Sequence, residues 1–504
     1  MNAERLDNIS DWLSPIVVKE VRQMVRGRQF NYSFGLGLVA GLLVAFIGSA
    51  DASNGNAAGA WIFASLIGCL IFIGMGIVPV GTFNALRNER SEQTLDLMTL
   101  TALSPRRIVI GKLLAQGVKL LTLFSALAPF IAMSFLLGGI DLVTILLALA
   151  ALFIWSMWAC AASLFMSSLS RSRAMSSLML GVVALVFIIL FGMGRSFYMF
   201  RYGFYGGPFG GPFGGYGTPG SDFWWMIGVT TAFCLITMVN LVLLAENRLS
   251  LPTEDRVTAL RIGLFIQFLM LLASSIVYVL IRPAPPAGSF VPPGMSRSAA
   301  AASNAVAVLG VLGGLQLTIV ATFTVTEDLI LSRRVLLKDK MSKQWSWLMA
   351  MFRPGGGRGA AYVLAQMALF VIVGMMLTPD PQVLHWLVAI CGYICFFTGV
   401  PTYVARRAGP GRFRAAQLRV LAFLVFPVVM LLPDILYYLA TRSSFFASEY
   451  SLRHVLNPLR TLSNWYVVEQ NQWYIPALLL GLVGFASYLA LMKLGQRANA
   501  GADA

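Results

Sequence analysis

Long apolar segments alternate with short polar ones along the whole chain of 504 residues. A membrane-spanning helix needs roughly 20 mostly apolar residues, because the hydrocarbon core is about 30 Å thick and the backbone must satisfy its own polar groups there. By that measure the pattern predicts an all-α, polytopic helical membrane protein with about twelve transmembrane helices. We place the spans near residues 33–50, 61–83, 109–137, 142–168, 174–193, 223–245, 262–281, 304–325, 360–377, 384–403, 416–438 and 474–493.

A polar segment from Asn88 to Leu114 separates the second and third of these apolar runs. Charged residues begin the segment, and leucines recur through its middle. Ser104 and Pro105 then precede the next apolar run. Serine is a favoured N-cap and proline is tolerated in the first turn of a helix. The order of residues therefore favours a helix, a turn and a second helix over an irregular linker.

The amino-terminal segment has the pattern of an amphipathic helix. Ser14 is a candidate N-cap with Pro15 at the first helical position. The apolar side consists of Val17, Val18, Val21, Met24 and Val25, and the basic side consists of Lys19, Arg22, Arg26 and Arg28. Such a helix lies in the membrane interface with its cations among anionic lipid heads. The alternative is a basic flank that only sets the topology.

Composition agrees with the membrane class. Hydrophobic residues make up 58% of the chain and charged residues 12%, and the mean hydropathy is +0.76. No class of soluble globular protein has such values. The net charge of +16 raises the question of a nucleic-acid partner, and the distribution of the basic residues answers it.

The basic residues sort by membrane side. Of the 37 lysines and arginines, those on connections that face outward when the amino terminus is inside are Arg195, Arg201, Arg282, Arg297, Arg442, Arg453 and Arg460. All others lie on the amino terminus, the inward connections, the carboxy terminus or the inner ends of spans. This is the positive-inside asymmetry. We therefore predict that the N and C termini are cytoplasmic, that the charge attracts anionic lipid, and that no nucleic acid is bound.

Titratable groups are scarce in the spans. Lys119, Asp141, Glu246 and Asp434 lie at or near predicted span ends, where headgroups or water can solvate them. The sequence therefore predicts no buried proton relay, which disfavours an ion-coupled carrier. No catalytic residue is assigned, and we expect that the protein is not an enzyme.

Nucleotide and metal sites are not predicted in this chain. No Gly-x-x-x-x-Gly-Lys-Ser/Thr loop occurs, so another chain would have to bind ATP. Cys391 and Cys395 are four residues apart on one helix face, but the sequence has only two histidines. Cysteine as a small polarizable filler is the better interpretation. We expect no metal and no cofactor here.

The segment from Glu89 to Leu114 resembles the first cytoplasmic loop of the permeases of type-2 ABC exporters. That loop has an acidic-basic cluster, a Thr-Leu pair with an acidic residue and leucines, a Thr-x-Leu-Ser-Pro turn, basic residues and a Gly-Lys-Leu run. The matching residues are Glu89, Arg90, Glu92, Thr94, Leu95, Asp96, Leu97, Thr101 to Pro105 (including Ser104), Arg106, Arg107 and Gly111 to Leu113. Gln93 departs from the family, which usually has glycine there.

Two further segments resemble the same family. The segment 13–23 is similar to its interfacial "elbow" helix, and the segment 169–174 is similar to its second, short cytoplasmic loop. The resemblance covers about residues 10–250.

The resemblance implies that the cytoplasmic loop 84–108 couples this chain to a separate ABC ATP-binding subunit, which holds ATP and Mg²⁺. The residues implied in that contact are Glu89, Arg90, Glu92, Thr94, Leu95, Asp96, Leu97, Ser104, Arg106 and Arg107. It further implies a permease of an ATP-driven exporter in the cell inner or plasma membrane. A homodimer and a pair with a second permease both stay open.

The predicted spans divide into two sets of six. Residues 1–250 form the permease-like domain, and residues 251–504 form a second six-span membrane region of unassigned role. The loop Thr326 to Arg334 has charges in a similar place but does not copy the coupling pattern. The sequence therefore favours an appended region over a duplicated half. A non-transporting scaffold with the same fold and an ion-coupled secondary transporter are the alternative functions.

Overall fold

The computed structural model describes residues 15–53, 59–91, 105–137, 140–169, 181, 221–249, 257–281, 297–329, 347–409, 413–441 and 450–501. The chain forms two compact units, Met1–Leu251 and Pro252–Ala504. Within the described ranges both units are helical and neither has a strand. The helical class predicted from the apolar runs is therefore confirmed.

The first unit begins with a short helix and continues with long ones. Its elements are α1 Pro15–Arg26, α2 Arg28–Ser53, α3 Gly59–Ile71, a π-helical turn Phe72–Ile77, α4 Val78–Ser91, α5 Pro105–Leu136, α6 Leu142–Leu169 and α7 Ser221–Leu249.

The second unit consists of long helices with short ones between them. Its elements are α8 Thr258–Ile281, α9 Arg297–Val325, α10 Trp347–Ala350, α11 Gly356–Leu377, α12 Pro381–Arg407, α13 Ala415–Thr441, a 3₁₀ turn Leu452–Leu456, α14 Pro458–Ser463, α15 Trp465–Gln470 and α16 Tyr474–Gly501.

Eleven helical segments of the described ranges are long and apolar enough to cross a membrane, so this is a multi-pass membrane protein by length and composition. The helix from α3 through the π-helical turn to α4 counts as one of them, Ile62–Asn88. Each corresponds to one of the predicted spans. The remaining prediction, the fifth span at 174–193, lies outside the described residues.

The third and fourth spans are separate helices although few residues join them. Asp141 caps α6, because its carboxylate accepts hydrogen bonds from the Thr144 N–H at 2.9 Å and from the Thr144 hydroxyl at 2.6 Å. Those hydrogen bonds lower the pKa of the Asp141 carboxyl. The cap stops α6 from continuing backward into α5.

A π-helical turn interrupts the second span just before Pro79. Proline has no N–H, and its ring conflicts with the carbonyl four residues earlier. The Val78 N–H bonds to the carbonyl of Ile73, five residues back, so the helix is wider there. Next to this turn, the side-chain amide of Gln29 donates a hydrogen bond to the Ile77 carbonyl at 3.0 Å.

In the first unit, the spans pack in a definite order. We number the spans of this unit in chain order: α2 is span one, α3 with α4 is span two, α5 is span three, α6 is span four and α7 is span six. The predicted fifth span falls between α6 and α7 in the sequence. Span one packs on spans two and three. Span two packs on three and four, span three on four, and span six on three and four.

The second unit repeats this order. With α8, α9, α11, α12 and α16 as spans one, two, three, four and six, every pair that packs in the first unit packs here as well. In both units span four lies along span six. The two units therefore share one helical fold.

Span four and span six of the second unit approach very closely. A Cβ built on Gly392 of α12 would lie 2.7 Å from the Cα of Gly481 on α16. Small residues permit such backbone approach in membrane helices, where dispersion contacts drive association. These two glycines are needed for the way α12 and α16 pack.

Candidate functional site

The amphipathic helix α1 packs against α5, the helix that follows the polar segment. Val17 and Glu20 are buried, while Lys19 and Arg22 are exposed. The buried side of α1 therefore includes an acidic residue. A buried carboxylate is costly unless a cation and hydrogen bonds compensate it.

Lys112 of α5 supplies that cation. Its Nζ lies 2.7 Å from Oε1 of Glu20, and the two side chains are 3% and 10% exposed. The residues are 92 positions apart in the chain. Glu20 lies in the elbow-like segment and Lys112 in the Gly-Lys-Leu run, so the ion pair joins two segments that carry the family resemblance.

A second link joins the start of α2 to the second span. Besides its hydrogen bond to Ile77, the Gln29 side chain lies against Gly81, where a Cβ would approach its amide nitrogen to 2.7 Å. Gly81 therefore leaves the space that Gln29 needs. The start of α2 and the irregular part of the second span are held together by this contact.

The predicted coupling residues are described only in part. Glu89 and Arg90 lie in the last turn of α4, and Arg106 and Arg107 are exposed in the first turn of α5. The other predicted contacts, Glu92, Thr94, Leu95, Asp96, Leu97 and Ser104, lie outside the described residues. The described part therefore contains both ends of the segment, each continuous with a spanning helix.

The basic residues predicted for the interfacial helix all face away from the protein. Lys19, Arg22 and Arg26 on α1 and Arg28 at the start of α2 are exposed. Ser14, the predicted N-cap, lies outside the described residues. The exposed cations leave one side of α1 free for charged lipid heads.

Two buried arginines occupy the equivalent end of the second unit. Arg261 of α8 bonds to Glu327 at 2.7 Å and to the carbonyls of Met351, Arg353 and Gly355. Arg406 of α12 bonds to Asp328 at 3.0 Å and to the carbonyls of Thr326, Glu327 and Phe413. Arg261 therefore connects the end of α9 to the start of α11, and Arg406 connects the end of α9 to the segment that follows α12.

The Glu327 carboxylate is the centre of this second network. Burial raises the pKa of Glu327, and the Arg261 guanidinium and the Gly355 N–H oppose the rise. The Gly355 N–H donates to Glu327 at 3.1 Å. Gly355 has φ 122°, a conformation that favours glycine. The Pro-Gly-rich run thus positions the N-terminus of α11.

Lys119 is not solvated at a span end, and that prediction was wrong. It lies fourteen residues after Pro105 in the 32-residue helix α5 and is 4% exposed. The Cys160 thiol of α6 is near its amine. The helix begins at Pro105, and even the predicted span 109–137 has Lys119 ten residues from its start, so the bounds did not support a position at a span end.

Sequence reasoning also missed the partners of Glu20, Arg261 and Arg406. A signal existed for the lysines of α5, since Lys112, Gln116 and Lys119 recur at helical spacing and so share one face. Nothing comparable marks Arg261, because its partners lie at least 66 residues away in the chain.

Comparison with known proteins adds no relative. No family model, no curated protein and no solved structure matches this chain. Among the described residues, no group of three or more His, Cys, Asp or Glu side chains is arranged to hold a metal ion. The functional interpretation therefore depends on the residues themselves.

Proposed function

We propose that this chain is the transmembrane permease subunit of an ATP-driven ABC-type exporter, coupled to a separate ATP-binding subunit through the loop 84–108. The observation that carries the proposal is the buried Glu20–Lys112 ion pair. It binds the elbow-like helix to the helix that follows the coupling segment. A basic flank that only sets the topology would not require a buried ion pair between Glu20 and a lysine 92 residues away in the chain.

In this mechanism, the coupling loop transmits force from the partner to the membrane. Its ends continue into α4 and α5, which belong to the second and third spans. Closure of the ATP-binding subunit would push both helices together. Because α1 is fixed to α5 through Glu20 and Lys112, it would move with the third span, and the spans would rock between two packings.

The π-helical turn gives the second span a place to bend. Irregular turns of this kind are frequent at functional sites, since their hydrogen bonds are easily rearranged. The Gln29 side chain also bonds to the Ile77 carbonyl at the end of this turn. We expect motion of α4 to be absorbed at residues 72–77.

An ion-coupled carrier is less well supported. Proton and ion relays in membranes use chains of carboxylates and histidines in the spans. Within the described ranges, the buried Lys119 makes no ion pair with a carboxylate. A non-transporting scaffold with the same fold is the second alternative, and the presence of a functional ATPase partner distinguishes it.

Charge reversal in the coupling segment tests the proposal. We expect Glu89→Lys with Glu92→Lys to lower the amount of ATP-binding protein that copurifies with the tagged chain by about tenfold. The two new lysines would repel the positive charges of the partner that the glutamates attract. The loss of ATP hydrolysis in the purified complex should parallel it. Both measurements use the full chain extracted from its native membrane.

Asp51→Lys is the matched control. It makes the same kind of acid-to-lysine reversal, at one position, in the last turn of α2 at the other end of the first span, and we expect it to leave copurification unchanged. The proposal would be contradicted by a double Glu89 and Glu92 reversal that retains both the ATP-binding partner and its activity.

A further inference from the structure

Two buried polar stripes lie on α5 and α6, two helices of the first unit that pack against each other. The stripe on α5 consists of Lys112, Gln116 and Lys119, and the stripe on α6 consists of Ser156, Cys160, Ser163 and Ser167; all seven side chains are buried. The spacing of three or four residues puts each stripe on one helix face. Because a short turn joins these antiparallel helices, Lys119 lies level with Cys160 and Gln116 with Ser163.

Direct contacts agree with this alignment. Lys119 interacts electrostatically with Cys160. Two positions earlier on α5, a Cβ on Gly117 would lie 3.5 Å from Met157. At the ends of the stripes, Lys112 pairs with Glu20 and the Ser167 hydroxyl donates to the Phe83 carbonyl at 2.9 Å. The outer polar groups of the stripes therefore have partners within the protein.

Several inner polar groups of the stripes have no such partner among the described residues. In the described part of the chain, Gln116 Oε1, Ser156 Oγ and Ser163 Oγ are buried without a hydrogen-bond partner, and Lys119 has neither a hydrogen bond nor an acidic partner. Buried polar groups in native proteins are almost always hydrogen-bonded, and a buried cation needs a counter-charge. Four such unpaired groups, at similar heights on two helices that pack together, point to a binding site.

The two lysines of α5 provide an internal comparison. Both lie on the same face of the same helix, about 10 Å apart along its axis at 1.5 Å per residue. Lys112 has Glu20 as its counter-ion and serves packing. Lys119 is equally buried but has no such partner within the described ranges. A purely structural role would require for Lys119 the kind of partner that Lys112 has.

The π-helical turn of the second span borders the same place. A Cβ built on Gly74 would lie 2.6 Å from the Ser156 hydroxyl and 3.6 Å from Leu120. Only glycine therefore lets the wide turn approach Ser156. Irregular helix turns occur frequently at ligand sites, because their backbone can adapt.

We propose that Lys119, Gln116, Ser156 and Ser163 bind the anionic head group of an otherwise apolar molecule. The ammonium provides the counter-charge, and the amide and hydroxyls provide a few hydrogen bonds. The surrounding residues are apolar and include Leu113, Leu120, Leu123, Met157 and Leu164. A molecule with many polar groups would have most of those groups buried against these apolar side chains without hydrogen bonds. One negative charge on an apolar body suits the site.

That this molecule is the transported substrate rests on the proposed function. The direct test is binding of cis-parinaric acid, a fluorescent fatty acid, to the full chain in phosphatidylcholine nanodiscs, followed by energy transfer from tryptophan. Its methyl ester has the same chain without the charge. Empty nanodiscs correct for partition into the lipid.

We expect Lys119→Met to weaken binding of the acid at least tenfold and to leave binding of the methyl ester unchanged. Lys119→Arg, which keeps the charge, should bind the acid within about threefold of the unaltered chain. Lys493→Met is the matched control, since it removes an exposed lysine of α16, and it should change neither affinity. Millimolar acetate should not displace the acid.

Three results would overturn the inference. Lys119→Met could bind the acid as well as the unaltered chain does. It could lose the acid and the ester equally while its tryptophan fluorescence is still that of the folded chain, which would mean an apolar site without a charge contribution. Acetate could displace the acid, which would reassign the site to small anions.

A second measurement needs no variant and so does not depend on the stability of Lys119→Met. A fatty acid with a diazirine next to its carboxyl group is photolysed with the unaltered chain, and the adducts are mapped by mass spectrometry. We expect adducts between residues 113 and 123 of α5 and between 153 and 164 of α6. Adducts found only elsewhere would refute the site.

The binding assay separates this inference from the proposed function. It uses neither ATP nor a partner, so the Lys119-dependent binding stands even if no ATP-binding subunit is found. Conversely, the chain could form a complex with an ATP-binding subunit and bind the fatty acid equally well with and without Lys119. That result would contradict this inference and leave the proposed function standing.

Discussion

At the scale of single residues, Glu20 determines how the amino-terminal helix is attached. It lies on the buried side of α1 between apolar neighbours and pairs with Lys112 at 2.7 Å. Taking either charge away breaks a buried ion pair on one side only, which is more costly than replacing both charges with apolar groups.

The pair can be tested by a double-mutant cycle on the purified chain. We expect Glu20→Gln and Lys112→Met each to lower the free energy of unfolding by about 3–5 kcal/mol. The double variant Glu20→Gln with Lys112→Met combines these two changes and should lose clearly less than the sum of their separate losses. Thermal unfolding in detergent, followed by tryptophan fluorescence, measures all three.

Lys19→Gln serves as the control for this cycle. Lys19 is on the same helix but exposed, and its change should stay within about 0.5 kcal/mol. Strict additivity of the Glu20 and Lys112 variants would show that the two side chains do not interact in the folded protein.

Residue roles could be predicted from the sequence only where a local pattern exists. The exposed position of Lys19, Arg22 and Arg26 follows from the helical period. The role of Glu20 does not, because its partner is distant in the chain and the period alone places it among apolar residues. Lys119 was misjudged because it was assigned to a span end although it lies ten residues inside the predicted span 109–137.

At the scale of elements, the apolar runs predict the helices well for a physical reason. A backbone in hydrocarbon has to satisfy its own hydrogen bonds, so a long apolar run has almost no alternative to a helix. What the runs do not show is an interruption within a span. Pro79 was the available signal for the π-helical turn, since proline cannot continue the regular bonding pattern.

The close packing of α12 on α16 makes a prediction about one glycine. Gly392→Ala places a Cβ about 2.7 Å from the Gly481 backbone, which cannot move aside as a side-chain end could. We expect a lower midpoint of thermal unfolding, because the two helices must separate.

Gly68→Ala is the matched control for this variant. Gly68 is also inside an apolar helix, α3, but a Cβ there would meet nothing within 4 Å. Alanine is the better helix former by about 0.5–1 kcal/mol, so this variant should be as stable as the unaltered chain or more stable. A Gly392→Ala variant that unfolds like Gly68→Ala would contradict the packing described for α12 and α16.

At the scale of the whole molecule, the two units share an order of helix packing although the coupling pattern occurs once. Packing order depends on which helix faces meet, and many residue combinations produce the same faces. Sequence comparison of the two halves therefore could not show the relationship. The shared order favours a duplicated half over an appended region.

This equivalence gives the loop after α9 a position like that of the coupling loop. In the first unit α4 ends at Ser91 and α5 begins at Pro105, while in the second unit α9 ends at Val325 and α11 begins at Gly356. Arg261 and Arg406 bind the chain next to that second connection. We therefore expect each unit to dock one ATP-binding subunit.

Native mass spectrometry of the complex extracted with the tagged chain tests the central claim most directly. We expect a species whose mass equals one copy of this chain and two copies of an ATP-binding protein. Equal numbers of the two subunits would mean that only the first unit docks a partner. A chain that is extracted alone, or only with proteins that do not bind ATP, would contradict its assignment as the permease of an ATP-driven exporter.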